Sequence, residues 1–235
     1  MDEGKRSGQI TLFNSGDKAV TYRIESIDLV PLEAGGYSTP EEGADVPEWS
    51  AAPLLRYAPR QVTLEGGQRQ VVKIISRARR DTAAGEYRTH LRFSTIPLVE
   101  AVGEGEETSA EEKGKISVSV GLEYRITVPV ILRIGDLENG VEIGTARYDA
   151  GEGDTGAHVV LELNRLGDVS DYSTIRILDV QDQEIGLLKE VAVLPPLHKR
   201  QVRVPLDSPS AQPAKIIVEN GKKGAAKVIL SEKQL

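Results

Sequence analysis

From Ile116 to Leu132 every second residue is apolar or aromatic: Ile116, Val118, Val120, Leu122, Tyr124, Ile126, Val128, Val130 and Leu132. The positions between them are Ser117, Ser119, Gly121, Glu123, Arg125, Thr127, Pro129, Ile131 and Arg133. A period of two is that of an extended strand, whose successive side chains leave on opposite faces. Held for 17 residues, it specifies one buried face and, unbroken, a strand of roughly 55 Å. Ordinary strands stop after about 5 or 6 residues. One sandwich core therefore accounts for about half of the row. The rest needs a cover, either a second domain of the same chain or a partner.

The remaining pattern is also mostly period two, punctuated by glycine and proline. Gln9–Phe13 ends at the turn formers Asn14, Ser15, Gly16 and Asp17, and Val20–Leu29 follows with Val20, Tyr22 and Ile24 on one face, which predicts a hairpin. Pro31–Pro59, with Gly35-Gly36 and the single tryptophan Trp49, predicts a long connection holding short strand pieces. Alternation resumes at Gln61–Leu64 and Gln70–Ser76, and then at Tyr87, Thr89, Leu91 and Phe93, which turns Arg88, His90 and Arg92 toward solvent.

Beyond a turn-rich hinge at Gly135–Gly144, strands are predicted at Val141–Tyr148, Val159–Asn164, Tyr172–Val180, Glu184–Val193, Arg200–Pro205, Ala214–Glu219 and Ala226–Leu230. Seven short strands suit a seven-stranded sandwich. No helical stretch stands out, and no repeat of fixed period points to a propeller or solenoid. The fold class is all-β: two immunoglobulin-like β-sandwich domains, 1–133 and 134–235. The length of 235 residues agrees, being about twice the ~100 residues of one such domain.

Charge and composition narrow the partners. The net charge of −7 comes without a basic stripe, which argues against nucleic acid or an anionic membrane surface and favours a peptide or protein. Between Val99 and Lys115 six glutamates face two lysines and no aromatic residue, the composition of a solvated loop. The chain has no cysteine, which removes disulfides, thiolate nucleophiles and Cys-ligated metals. It has no apolar run of about 18 residues, so no membrane insertion is expected. Its start, MDEGKRSGQI, lacks the apolar core of a signal peptide, so an exported form would have lost its leader.

Catalytic candidates are few. His90, His158 and His198 lie on separate segments without metal-ligand spacing, and read as solvent-facing structural residues. No G-x-S-x-G elbow is present. Gly151-Glu152-Gly153-Asp154 reads as a hairpin tip rather than a phosphate or calcium loop. The pairs Glu106-Glu107 and Glu111-Glu112 sit where nothing desolvates them. No nucleophile, metal set or cofactor loop is legible, so the chain reads as a binding protein and not an enzyme. The long strand remains as its most informative feature, and an exposed alternating edge is used above all for β-augmentation.

Several blocks, in order, carry a resemblance: SGQITLFNSGDKAVTYRIE, YAPRQVTLEGGQRQVVKI, GEYRTHLRFSTIP and ISVSVGLEYRITVPVILR, together covering Ser7–Arg133. In the second block Pro59, Val62, Leu64, Gly66, Gly67 and Gln70 match a Pro, an apolar pair, a Gly turn and a Gln; the third ends in Ile96-Pro97. With these blocks the chain resembles the periplasmic chaperones of chaperone-usher fimbrial (pilus) assembly, as a divergent member. LNRLGDVSDYSTIRILDVQDQEIGLLKEVAVLPPLHKRQVRVPL matches the family's second sandwich more loosely.

The resemblance implies an L-shaped pair of sandwiches and a periplasmic chaperone that needs no cofactor. It implies that the last strand of the first domain, here Ile116–Leu132, lends alternating apolar residues to an incomplete pilin subunit, which is then handed to an outer-membrane usher. The subunit-binding residues so implied are Ile116, Val118, Val120, Leu122, Tyr124 and Ile126. The family's opening strand, with one cleft base, would lie before Met1. The other cleft base, a lysine four residues before the closing arginine, falls on Pro129 when counted from Arg133, and Arg125 is the nearest base to take a subunit carboxylate. The rival reading is an Ig-like adhesion or scaffold protein whose long strand is covered within its own chain. A homodimer pairing its own exposed strands is compatible with either.

Overall fold

The structure is a computed structural model that describes residues 6–41, 43–96, 122–151, 156–170, 172–208, 212–220 and 229–235. Its first part comprises β1 (Ser7–Phe13), β2 (Val20–Ile27), β3 (Val30–Pro31), β4 (Tyr37–Ser38), β5 (Leu55–Ala58), β6 (Gln61–Leu64), β7 (Arg69–Ser76), β8 (Gly85–Ile96) and β9 (Arg125–Ile134). The second comprises β10 (Val141–Asp149), β11 (His158–Arg165), β12 (Ser173–Leu178), β13 (Glu184–Val191), β14 (Lys199–Pro205), β15 (Lys215–Asn220) and β16 (Ile229–Gln234). Among the described residues the helical content is one 3-10 turn, Ala52–Leu54.

Two sandwiches result. In the first, the sheet β1-β7-β5 packs on β6-β2-β8-β9; in the second, β10-β11-β14 packs on β13-β12-β15-β16. Alternation explains each core, because inward positions of facing sheets interdigitate while outward ones stay polar. The first core gathers Ile24, Leu55, Val72, Ile74, Leu91, Phe93, Val130 and Leu132. The second gathers Val159, Leu161, Leu163, Ile175, Ile177, Val202, Val204, Ile216 and Val218.

Of the seven strands expected in the second sandwich, six are found within a few residues of their expected ends. The last is displaced: Ile229–Gln234 forms the strand, and 226–228 lie outside the described residues. The expected tip Gly151–Asp154 joins β10 to β11, which pair antiparallel from Asp149↔His158; residues 152–154 of it are not described.

Three expectations change. The opening strands are not a hairpin: β1 pairs with β7 and β2 with β6 and β8, in opposite sheets. The Asn14–Asp17 turn instead carries the chain across the sandwich. Buried Asn14 organises it, its amide donating to the carbonyls of Lys18 (2.8 Å), Leu64 (2.9 Å) and Glu65 (3.2 Å) while its oxygen accepts from Gly16 N (3.1 Å). Turn composition marks a reversal but not the sheet in which the next strand lands.

Arg88 and His90 do not face solvent; both are buried, with Arg92 half-buried. The long connection after β2 covers this face. Arg88 N donates to Trp49 O (2.8 Å), Ala51 N donates to Arg88 O (2.9 Å), and the ring of Tyr37 meets His90 edge-on at 5.3 Å. His158 is buried too, its Nδ1 2.9 Å from Gly156 O, whereas His198 is exposed. The long strand also differs. Its described part runs from Arg125 to Ile134, preceded by Leu122–Tyr124 outside the strand. Ile116, Val118 and Val120, and the acidic segment before them, lie outside the described residues.

The sandwiches meet at a buried ionic knot. Glu86 Oε2 accepts from Arg133 Nε (3.0 Å) and from Ser170 N (3.1 Å) in the connection between β11 and β12. Its Oε1 accepts from Ser170 Oγ (2.5 Å) and from Arg88 Nη1 (3.3 Å). Arg133 Nη2 also donates to Ser170 O (2.8 Å). A carboxylate this deeply buried is tolerable only because two guanidiniums and two further donors satisfy it. Away from the knot, Gln201 N donates to Glu33 O (2.8 Å), tying β14 to the β3–β4 turn.

Candidate functional site

Strand β9 closes its sheet at one side, pairing with β8 from Gly85↔Ile134 to Ser94↔Arg125 without a shift. The ladder continues one step further, where Thr95 N donates to Tyr124 O (2.9 Å) and Tyr124 N to Thr95 Oγ1 (2.8 Å). In an antiparallel ladder, hydrogen bonding alternates residue by residue. Tyr124 and Ile126 therefore direct their backbone groups at β8, while Arg125, Thr127 and Pro129 direct theirs outward. Proline suits such an edge position, since its missing N–H would point away from the ladder.

Burial changes steadily along the apolar row. Leu132 and Val130 are 4 % and 7 % exposed in the first core, and Val128 is half-buried. Ile126, Tyr124 and Leu122 are then 62 %, 66 % and 70 % exposed. The apolar row thus begins in water just before β9 and ends in the core. Three consecutive large apolar side chains on an uncovered strand end make a surface that soluble proteins rarely leave without a use.

Arg125 stands on the opposite face from this row. Its Nε and Nη2 fork onto Glu123 (2.8 and 2.7 Å), and both residues are solvent-accessible. The hydrogen bond from Arg125 holds the Glu123 carboxyl below its ordinary range, and the same bond raises Arg125. Nearby, Arg92 pairs with Glu25 at 3.1 Å. The structure therefore brings Leu122, Tyr124 and Ile126 together and keeps Arg125 apart from them, already engaged. Among the described residues no group of His, Asp and Glu could hold a metal ion, and no helix is long and apolar enough to cross a membrane.

No family model matches the chain, and no curated protein matches it in sequence. Solved structures do match in shape. One is a chain of the chaperone–tip adhesin complex of CFA/I fimbriae biogenesis, with a TM-score of 0.54 at 10 % identity, covering 100 % of this chain and 93 % of that one. A second is the Pseudomonas aeruginosa CupB2 chaperone, with a TM-score of 0.51 at 11 % identity over 98 % and 93 % of the two chains. A third is a chain of the CsuC–CsuE chaperone–tip adhesion subunit pre-assembly complex from the archaic chaperone-usher Csu pili of Acinetobacter baumannii, with a TM-score of 0.50 at 11 % identity over 97 % and 92 %. This chain has the fimbrial chaperone fold. Both sandwiches take part in the likeness, since nearly the whole of each chain is covered.

Within that fimbrial chaperone fold, the knot of Glu86, Arg88, Arg133 and Ser170 escaped the sequence reading. On a strand, Glu86, Arg88 and His90 alternate with apolar residues and so resemble an ordinary solvated face. The one available signal was the length of the connection from Pro31 to Pro59 with its lone Trp49, which has to lie over something.

Proposed function

We propose that this protein is a chaperone of fimbrial subunits that captures an incomplete pilin-like subunit by lending it the apolar row that leads into β9. The observation that carries this reading is the burial gradient: the row is spent on the protein's own core at Val130 and Leu132 and unspent at Ile126, Tyr124 and Leu122. The alternation continues N-terminally in the sequence through Val120, Val118 and Ile116, which lie outside the described residues. Two fold relatives come from complexes of a chaperone with a tip subunit, which supports a protein client.

Such capture uses main-chain pairing for affinity and alternate side chains for register. The outward backbone of Arg125 and Thr127 supplies pairing groups, and Pro129 ends the run of donors. Each aliphatic side chain fully buried in a client contributes about 1.5–3 kcal/mol before ordering costs. Four or five filled pockets would dominate the affinity. Arg125 spends its Nε and Nη2 on Glu123, so a client carboxylate would meet its Nη1 side. A periplasmic location and handover to an usher belong to the same proposal.

The test is co-expression with a pilin-like subunit lacking its own final strand. The double variant Val118→Asp, Val120→Asp is expected to lose the subunit on co-purification while keeping the parent's melting temperature. Undiminished co-purification would sink the proposal.

A further inference from the structure

The sheet β1-β7-β5 turns cations and large apolar side chains to solvent together. Its register sets Phe13 opposite Arg69 and Arg56 opposite Ile75, with Val71 and Lys73 on the same side of β7 between them. Directly opposed residues share a face, and Val72 and Ile74 take the other one, in the core. Phe13, Val71 and Ile75 are exposed, as are Arg56, Arg69 and Lys73. None of the three strands contains an aspartate or glutamate. Arg69 lies over the Phe13 ring at 4.9 Å, a contact that leaves its charge without a counter-charge. No basic stripe shows in the sequence because the cations come from two strands and only the sheet collects them.

A positive face on a chain of net charge −7 selects an acidic occupant, and its apolar residues favour one that also carries hydrocarbon. The chain has such a segment. Residues 98–112, which lie outside the described residues, combine Leu98, Val99 and Val102 with six glutamates and no lysine or arginine. The segment follows directly on β8, whose last residue, Ile96, pairs with Thr21 just after the turn that Phe13 enters. β8 therefore ends at the pole of the sandwich where Phe13 and Arg69 lie. Extended chain covers roughly 3.3 Å per residue, which gives Glu106, ten residues beyond Ile96, a reach of about 33 Å against about 24 Å for the length of β7. The tether makes the encounter intramolecular, at an effective concentration on the order of millimolar, so modest surface pairs suffice to populate it.

We propose that the outer face of β1-β7-β5 is a docking surface for residues 98–112 of the same chain, with glutamates against Arg56, Arg69 and Lys73 and apolar side chains against Phe13, Val71 and Ile75. The contact is separate from the β9 row and does not depend on subunit capture.

The test uses the absence of cysteine, since Ser109→Cys then carries a single nitroxide on the isotope-labelled full chain. At low salt the amides of Phe13, Val71 and Lys73 are expected to lose most of their intensity by paramagnetic relaxation. They should recover at about 1 M salt, where the Debye length falls to about 3 Å. Arg69→Glu with Lys73→Glu, at two exposed positions, should restore the intensity at low salt. Glu104→Gln with Glu106→Gln and Glu107→Gln should do the same, and leaves the sheet unaltered in case the first variant folds poorly. A mixture of nitroxide-bearing chain at natural isotope abundance with isotope-labelled chain lacking the nitroxide is expected to show no broadening. Broadening in that mixture would assign the face to a second copy and overturn the proposal. Full intensity in the singly labelled chain, whether or not the face then binds anionic lipid vesicles, or broadening that survives both variants, would overturn it as well.

Discussion

His90 lies under the ring of Tyr37 and beside the buried guanidinium of Arg88, and these surroundings set its charge. Burial lowers its pKa from the ordinary 6.5, and the neighbouring Arg88 charge lowers it further, outweighing the opposing effects of Asp28 and the Ile27 backbone. A histidine whose folded pKa lies below its unfolded one favours folding fully above the unfolded pKa, and that contribution is lost as pH falls through 6.5 toward the folded value. The melting temperature is therefore expected to drop between pH about 7.5 and about 5.5, and His90→Gln to flatten the drop. An unchanged slope in His90→Gln would show that other groups set it. The alternation around His90 is that of a half-solvated strand, so its burial was not legible locally; the cover comes from Tyr37 and the segment after it, some 50 residues earlier in the chain.

At the scale of the element, the apolar face of β9 is buried at one end and exposed at the other, and substitutions should separate the two ends. Leu132→Ala opens a hole in the first core and should cost about 2–5 kcal/mol of stability. Ile126→Ser, on the same face but in water, should stay within about 0.5 kcal/mol in the isolated chain. Urea unfolding of the two variants reads both values. The strand's face and its place at the end of the first domain were legible because a period of two is unambiguous over so many residues. Its sharing between core and solvent was not, since alternation reports which side is apolar and says nothing of what covers it. The same limit applied to Asn14: a turn was legible there, but the crossing to the opposite sheet depends on Asn14 reaching the carbonyls of Leu64 and Glu65, some 50 residues away in sequence.

At the scale of the whole molecule, the two sandwiches are joined through charges rather than by a continuous core. Glu86 is fully enclosed and faces Arg88 and Arg133 from its own sandwich and Ser170 from the other. Glu86→Gln removes the counter-charge beside a buried Arg88, and breaking a buried pair costs about 3–5 kcal/mol. Calorimetry is expected to show a lower melting temperature, with the two sandwiches unfolding in separate steps. A single transition at the parent's temperature would mean that the knot does not join them. The knot draws on β8, β9 and the connection after β11 (Glu86, Arg88, Arg133 and Ser170), which no sequence periodicity relates.

Under the proposed capture the Leu122–Ile126 surface meets the client, and amide hydrogen exchange of the chain alone and with a strand-deficient pilin-like subunit tests that role directly. The N–H groups of Arg125 and Thr127 point away from β8, so both are expected to exchange quickly in the free chain and to become strongly protected in the complex. Equal protection of both amides with and without the subunit would contradict capture along this strand and favour a protein that covers its own row.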